Sequence, residues 1–161
     1  MKVKEIMTTR VVTVSADTPV PVIAGLLRDN RISGIPVTDA DGAVIGLVSE
    51  YDLLTREGKT AAEVMTSSVI SVSEDTDVDD VRHLLVERGI RRVPVMGERG
   101  RGGGWGLAGI VSRGDVVALL TTEWVCQVCG EAARGPHPPS RCPRCHGGSG
   151  RFVLQDASPG A

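Results

Sequence analysis

Two hydrophobic periods alternate along the first 120 residues. Residues 11–14 form a short β-branched run that predicts a strand. Thr18-Pro19 then offers an N-cap and first turn to a helix carrying Val22, Ile23, Leu26 and Leu27 on one face, closed at Asp29-Asn30. Residues 34–38 read as a strand, Asp39-Ala40-Asp41-Gly42 as a hairpin turn and residues 44–49 as the returning strand. A short helix starts near Glu50. The order is strand, helix, strand, strand, helix.

The same order returns after a shift of 58 residues, which lays Met7-Thr8 on Met65-Thr66, Asp17-Thr18 on Asp75-Thr76, Leu26-Leu27 on Leu84-Leu85 and Pro36-Val37 on Pro94-Val95. It predicts strands over 69–72, 92–96 and 107–112, a helix over 75–87 and a last helix reaching Leu120. The second hairpin is longer, because Arg99 and Arg101 stand among six glycines between its strands. Neither half of about 60 residues buries much apolar surface alone, so the halves are expected to pack about a pseudo-twofold axis.

Each returning strand ends in Ser followed three residues later by Asp, as Ser49 with Asp52 and Ser112 with Asp115. Such a pair caps a helix start. It also suits a sugar diol joined to a phosphate: the carboxylate accepts from the diol, while the free N–H groups of the first turn attract the anion.

Composition narrows the field. A net charge of −2 gives no global electrostatic argument for nucleic acid or membrane, and no stretch approaches the roughly 20 apolar residues of a membrane span. The expected location is the cytoplasm. The four cysteines all fall between 126 and 145 and so belong to a local site. Cys126-x-x-Cys129 and Cys142-x-x-Cys145 supply two thiolate pairs for a tetrahedral S4 shell that suits zinc or a single iron. Gly, Pro and Ser dominate there, so folding of this segment is expected to require metal. A filled S4 shell leaves no open coordination position, which favours structural zinc, with iron as the alternative. His146 reads as solvent-facing.

The tandem repeat, with Gly34-Ile35-Pro36-Val37 after a helix and Gly-x-x-Ser-x-x-Asp after a hairpin, resembles the CBS domain family as a complete pair. The resemblance implies an α+β fold and a regulatory, non-catalytic module that binds AMP, ADP, ATP or S-adenosylmethionine in two clefts between the repeats. It places the ribose on Asp115 with Ser112 beside it, and the adenine against Val12, Ile32 and Gly34 with Ile110 as floor. The related cleft would use Asp52, Ser49 and Leu47 with Ile70, Ile90 and Arg92. Arg10, Arg91 and Arg92 stand where the family often contacts phosphate. Arg92 stands at the position matching Gly34, which predicts that the cleft beside it is narrower or suited to a more anionic ligand.

Residues 122–154 resemble the rubredoxin-like ribbon found at the end of rubrerythrins: an aromatic two before the first Cys, Gly130 after the second, Cys-Pro-x-Cys, and a Phe soon after. The expected domains are 1–58 and 59–120 for the repeats, 121–156 for a metal ribbon and 157–161 for a tail. Three functions are open: a nucleotide sensor whose ribbon meets an as yet undefined protein partner, an iron-loaded electron carrier tuned by the pair, and a nucleic-acid binder using Arg134, Arg141, Arg144 and Arg151. The resemblance also implies a homodimer, with Leu53-Leu54 and residues 116–120 as candidate faces.

Overall fold

The computed structural model describes residues 1–98, 105–135 and 137–156. Arg99 and Arg101 of the glycine-rich turn, and the tail, lie outside the described residues. The first repeat holds α1 (Val20–Asn30), β1 (Gly34–Thr38), β2 (Val44–Ser49) and α2 (Glu50–Thr55). α3 (Ala61–Val64) leads into the second repeat, with β3 (Val72–Ser73), α4 (Val78–Glu87), β4 (Arg92–Glu98), β5 (Trp105–Ser112) and α5 (Arg113–Thr121). β6 (Thr122–Cys126), β7 (Ala132–Arg134) and β8 (Phe152–Asp156) follow. No helix among the described residues is long and apolar enough to cross a membrane.

Both hairpins follow the sequence expectation, β1 antiparallel to β2 and β4 antiparallel to β5. Each slips register at the same repeat position, Val37/Thr38 and Val95/Met96. The strand expected over 11–14 is reduced to one parallel bridge between Val14 and Val37, and that over 69–72 to the two residues of β3, parallel to β4. Val11 and Val12, like Val69 and Ile70, leave the sheet to wall a cavity.

Two helix starts also move. α1 begins at Val20 with Pro19 as N-cap, because the Thr18 carbonyl accepts from Ala61 N–H. α4 begins at Val78, not Asp75, because the Thr76 carbonyl accepts from Val3 N–H at 2.8 Å and Lys2 bridges Asp77.

Those contacts expose the organisation of the chain. A 3-10 turn at Val3–Glu5 and its repeat equivalent α3, neither expected from the sequence, each dock on the other repeat. Val3 and Ile6 sit in the core with Val78, Val81, Leu85, Val93, Val95 and Val111, whereas Ala61 and Val64 sit with Val14, Ile23, Leu27, Ile35, Val37 and Val48. Further on, Thr8 pairs with Ile110 of β5 and Thr66 with Leu47 of β2, both antiparallel. Close approach makes this possible: a Cβ on Gly109 would meet the Thr8 carbonyl at 2.8 Å, and one on Gly46 would meet Met65 Cγ at 2.8 Å. The exchange is reciprocal, so the two halves are related by a pseudo-twofold operation.

Candidate functional site: two clefts and a cysteine cluster

β2 delivers Ser49 and β5 delivers Ser112 to the starts of α2 and α5, where each serine forms a full capping box with the Asp three residues on. Ser49 donates its N–H and hydroxyl to Asp52 Oδ2, each at 2.8 Å, and Asp52 N–H returns a bond to Ser49 Oγ at 3.2 Å. Ser112 donates to Asp115 Oδ2 at 2.7 and 2.8 Å in the same manner. The capping reading of these residues is therefore correct, and it uses one oxygen of each carboxylate.

The other oxygen distinguishes the two. Asp52 is 6% exposed, and its Oδ1 accepts from Thr66 Oγ1 at 3.4 Å and lies 3.7 Å from Arg56 Nε. Asp115 is half-buried, and Leu119 stands where the first repeat has Arg56. Among the described residues no donor reaches Asp115 Oδ1.

Each carboxylate opens into a cavity whose opposite wall belongs to the other repeat. Asp115, Ser112 and Ile110 face Arg10, Val12, Ile32 and Gly34 across a cavity of about 270 Å3, also lined by Thr8, Val11, Arg31, Ser33 and Arg92. Asp52, Ser49 and Leu47 face Ile70, Ile90, Arg91 and Arg92 across one of about 400 Å3, also lined by Tyr51, Arg56, Thr66, Ser68, Val69 and Gly89. The expected narrowing beside Arg92 is reversed. Its guanidinium crosses to the other half and donates from Nη2 to Ser33 Oγ, so the smaller cavity is the one walled by Gly34. Burial, the neighbouring Arg91 and, in the opposite sense, Glu50 act on that guanidinium, and the sum lowers its affinity for its proton.

The cysteines come together at the far end of the chain. β6 is the centre of a three-stranded antiparallel sheet, order β7-β6-β8, on which Cys126, Cys142 and Phe152 are buried. All four Sγ atoms lie within 4.8 Å of one another, with Cys126–Cys145 at 3.6 Å and Cys129–Cys142 at 3.5 Å. A tetrahedral shell with metal–sulfur bonds of about 2.3 Å sets its sulfurs about 3.8 Å apart, so the donor set fits a metal of zinc size.

The two knuckles match. Gly130 N–H bonds Cys126 O at 2.8 Å with φ 75°, and His146 N–H bonds Cys142 O at 2.9 Å with φ 60°. His146 is exposed. The Cys145 N–H is the largest influence on the Cys142 thiol; burial opposes it, the Arg144 N–H adds to it, and the thiol falls to about 7.

A sequence profile of the CBS domain matches residues 3–58 and 61–122. The chain belongs to the CBS domain family. It carries a tandem pair, and the match ends before the four cysteines. Among relatives, the chloroplastic CBS domain-containing protein CBSX1 of Arabidopsis thaliana is 32% identical over 126 residues, 57% of this chain and 51% of its own; the chain spans about half of that relative's length. Among solved structures, CBSX2 in complex with AMP superposes with a TM-score of 0.64 at 33% identity, covering 72% of this chain and 93% of that one. The CBS domain pair of MJ0100, in complex with 5′-methylthioadenosine and S-adenosyl-L-methionine, superposes with a TM-score of 0.65 at 28% identity, covering 74% and 95%.

Within this CBS pair the structure groups the residues singled out from the sequence into the two cavities. It adds Thr8 and Thr66, whose repeat match was visible but whose place was not, because both act across the pseudo-twofold axis. It adds Arg31 and Ser33, which follow α1 and carried no motif.

Proposed function

We propose that the chain is a regulatory sensor that binds an adenosine-containing nucleotide between its CBS repeats. One observation carries the reading: in both clefts a capped carboxylate of one repeat faces an apolar wall from the other. The carboxylate accepts from ribose hydroxyls, Ile32 with Val12 or Ile70 with Ile90 sandwich a base, and Arg10, Arg91 or Arg92 meet phosphate, whose oxygens match a guanidinium bidentately. The adenosine ligands of the two structural neighbours support the ligand class. A ligand acts as a signal here only by favouring one arrangement of the halves over another.

In this reading the segment from β6 to β8 is a metal ribbon held by Cys126, Cys129, Cys142 and Cys145, with zinc filling the shell and a partner protein as its target. A bound zinc supplies a cross-link with no open position. The pair is also read as a homodimer. α2 and α5 turn Leu53, Val116 and Leu119 inward but leave Leu54 (85% exposed), Val117 and Leu120 to solvent. The reading is of a binding protein.

Thermal unfolding of the full chain against AMP, ADP, ATP, S-adenosylmethionine and NAD at fixed salt tests the function, because a ligand of the folded state raises its stability. Stabilisation by at least one adenosine compound is expected. No shift with any of them removes the sensor reading.

A further inference from the structure

Arg92 opens β4 at the place where Gly34 opens β1, and this is the sharpest break in the twofold symmetry of the pair. Arg92 still lines its own cleft, but its guanidinium reaches into the other one. The guanidinium lies on the bare backbone of Gly34: a Cβ built there would stand 2.8 Å from Arg92 Cζ and 3.2 Å from Nε. Glycine at 34 is what admits it. No reciprocal group crosses the other way, since Gly34 has no side chain to send.

The consequence is unequal access. Gly34 lies with Val12 and Ile32 in the wall of the Asp115 cleft, the surface on which a flat base would rest, and the planar guanidinium already covers it. That cleft measures about 270 Å3 against about 400 Å3 for its twofold relative. The guanidinium is held by the Ser33 hydroxyl, a neutral acceptor, and among the described residues it forms no ion pair with a carboxylate. It is anchored by shape and one hydrogen bond.

We propose that Arg92 is a built-in plug that closes the Asp115 cleft to an adenine base, so that the Asp52 cleft takes the nucleotide first and alone. This rests on the nucleotide reading of the clefts and goes beyond it by assigning occupancy. The side chain competes with the base for the same patch of Gly34, whereas the larger Asp52 cleft is lined by Arg92 without that contact. Two equivalent sites become one open site and one closed one.

The test is calorimetric titration of the full chain with AMP and, separately, S-adenosylmethionine. The wild-type protein is expected to bind one equivalent, with affinity reduced at least tenfold by Asp52→Ala. Arg92→Gly, which restores the symmetry of the pair, is expected to bind two equivalents, the second lost on adding Asp115→Ala. Ser33→Ala keeps the side chain but removes its anchor, so it should raise occupancy of the second cleft without emptying the first; it serves if Arg92→Gly fails to fold. Two equivalents in the wild type, a single one abolished by Asp115→Ala, or one equivalent in both Arg92→Gly and Ser33→Ala overturns the plug alone. No binding by the wild type or any variant overturns the nucleotide reading and the plug with it.

Discussion

Arg31 and Gly89 hold the same left-handed backbone, φ 52° and 61°, at the same place 58 residues apart, just past the helix that precedes each hairpin. Each also lines a cleft, Arg31 that of Asp115 and Gly89 that of Asp52. Glycine takes this conformation freely, while a side chain costs roughly 1–2 kcal/mol there. The first repeat therefore carries strain at the cleft mouth that the second avoids. Arg31→Gly is expected to stabilise the chain, by less than about 1 kcal/mol because glycine also frees the unfolded state, whereas Gly89→Ala destabilises it by about 1 kcal/mol. Urea unfolding of the two variants measures both signs.

Val3 is fully buried in the core of the second repeat although it belongs to the first. Val3→Ala removes two methyl groups from the cluster shared with Val78, Val81 and Val95 and is expected to cost about 2 kcal/mol. Amide exchange should show protection lost first in β4 and β5, not in β1 and β2. Loss confined to the first repeat contradicts the exchanged packing.

Acid should loosen the joint between the repeats. The N–H groups of Lys59 and, next, Thr60 hold the Glu63 carboxyl below its ordinary range, and the Lys4 ammonium does the same for Asp75. Both groups bind protons less readily folded than unfolded. The stability they contribute is complete above the usual carboxylate range and is lost as the pH falls through their depressed values. Glu63→Gln and Asp75→Asn should each flatten the acid limb of a stability-versus-pH curve and leave stability near neutral pH reduced.

Metal removal should separate the two parts of the chain. The core beneath β6 is little more than Trp124, Ala133, Phe152 and the cysteines themselves, and Val128, Val153 and Leu154 stay exposed. A chelator, or Cys142→Ser, is expected to abolish amide protection in β6–β8 while the thermal transition of the CBS pair persists. Metal analysis of the purified protein should return zinc at one equivalent, and visible absorption would identify iron in its place.

Local chemistry was legible in the sequence. Turn residues at 39–42 and the alternation on either side placed β1 and β2, Ser-x-x-Asp placed the starts of α2 and α5, and the cysteine spacing placed one S4 cluster. Each of these depends on contacts within a few residues. The failures share the opposite property: α3 and the Val3–Glu5 turn are too short for any periodicity, and their helicity follows from docking on the other repeat.

By itself, then, the sequence determined a twofold repeat, the two hairpins, both capping boxes and a four-cysteine cluster, because propensity, capping and cysteine spacing act along the chain. Only the tertiary structure decided that the leading segments exchange partners, that residues 11–12 and 69–70 leave the sheet to wall clefts, and that Arg92 lies on Gly34 and makes those clefts unequal. Arg92 at the position matching Gly34 foretold unequal sites, but which cleft it narrows depends on packing across the axis: the side chain goes where a missing Cβ leaves room and a serine hydroxyl accepts it.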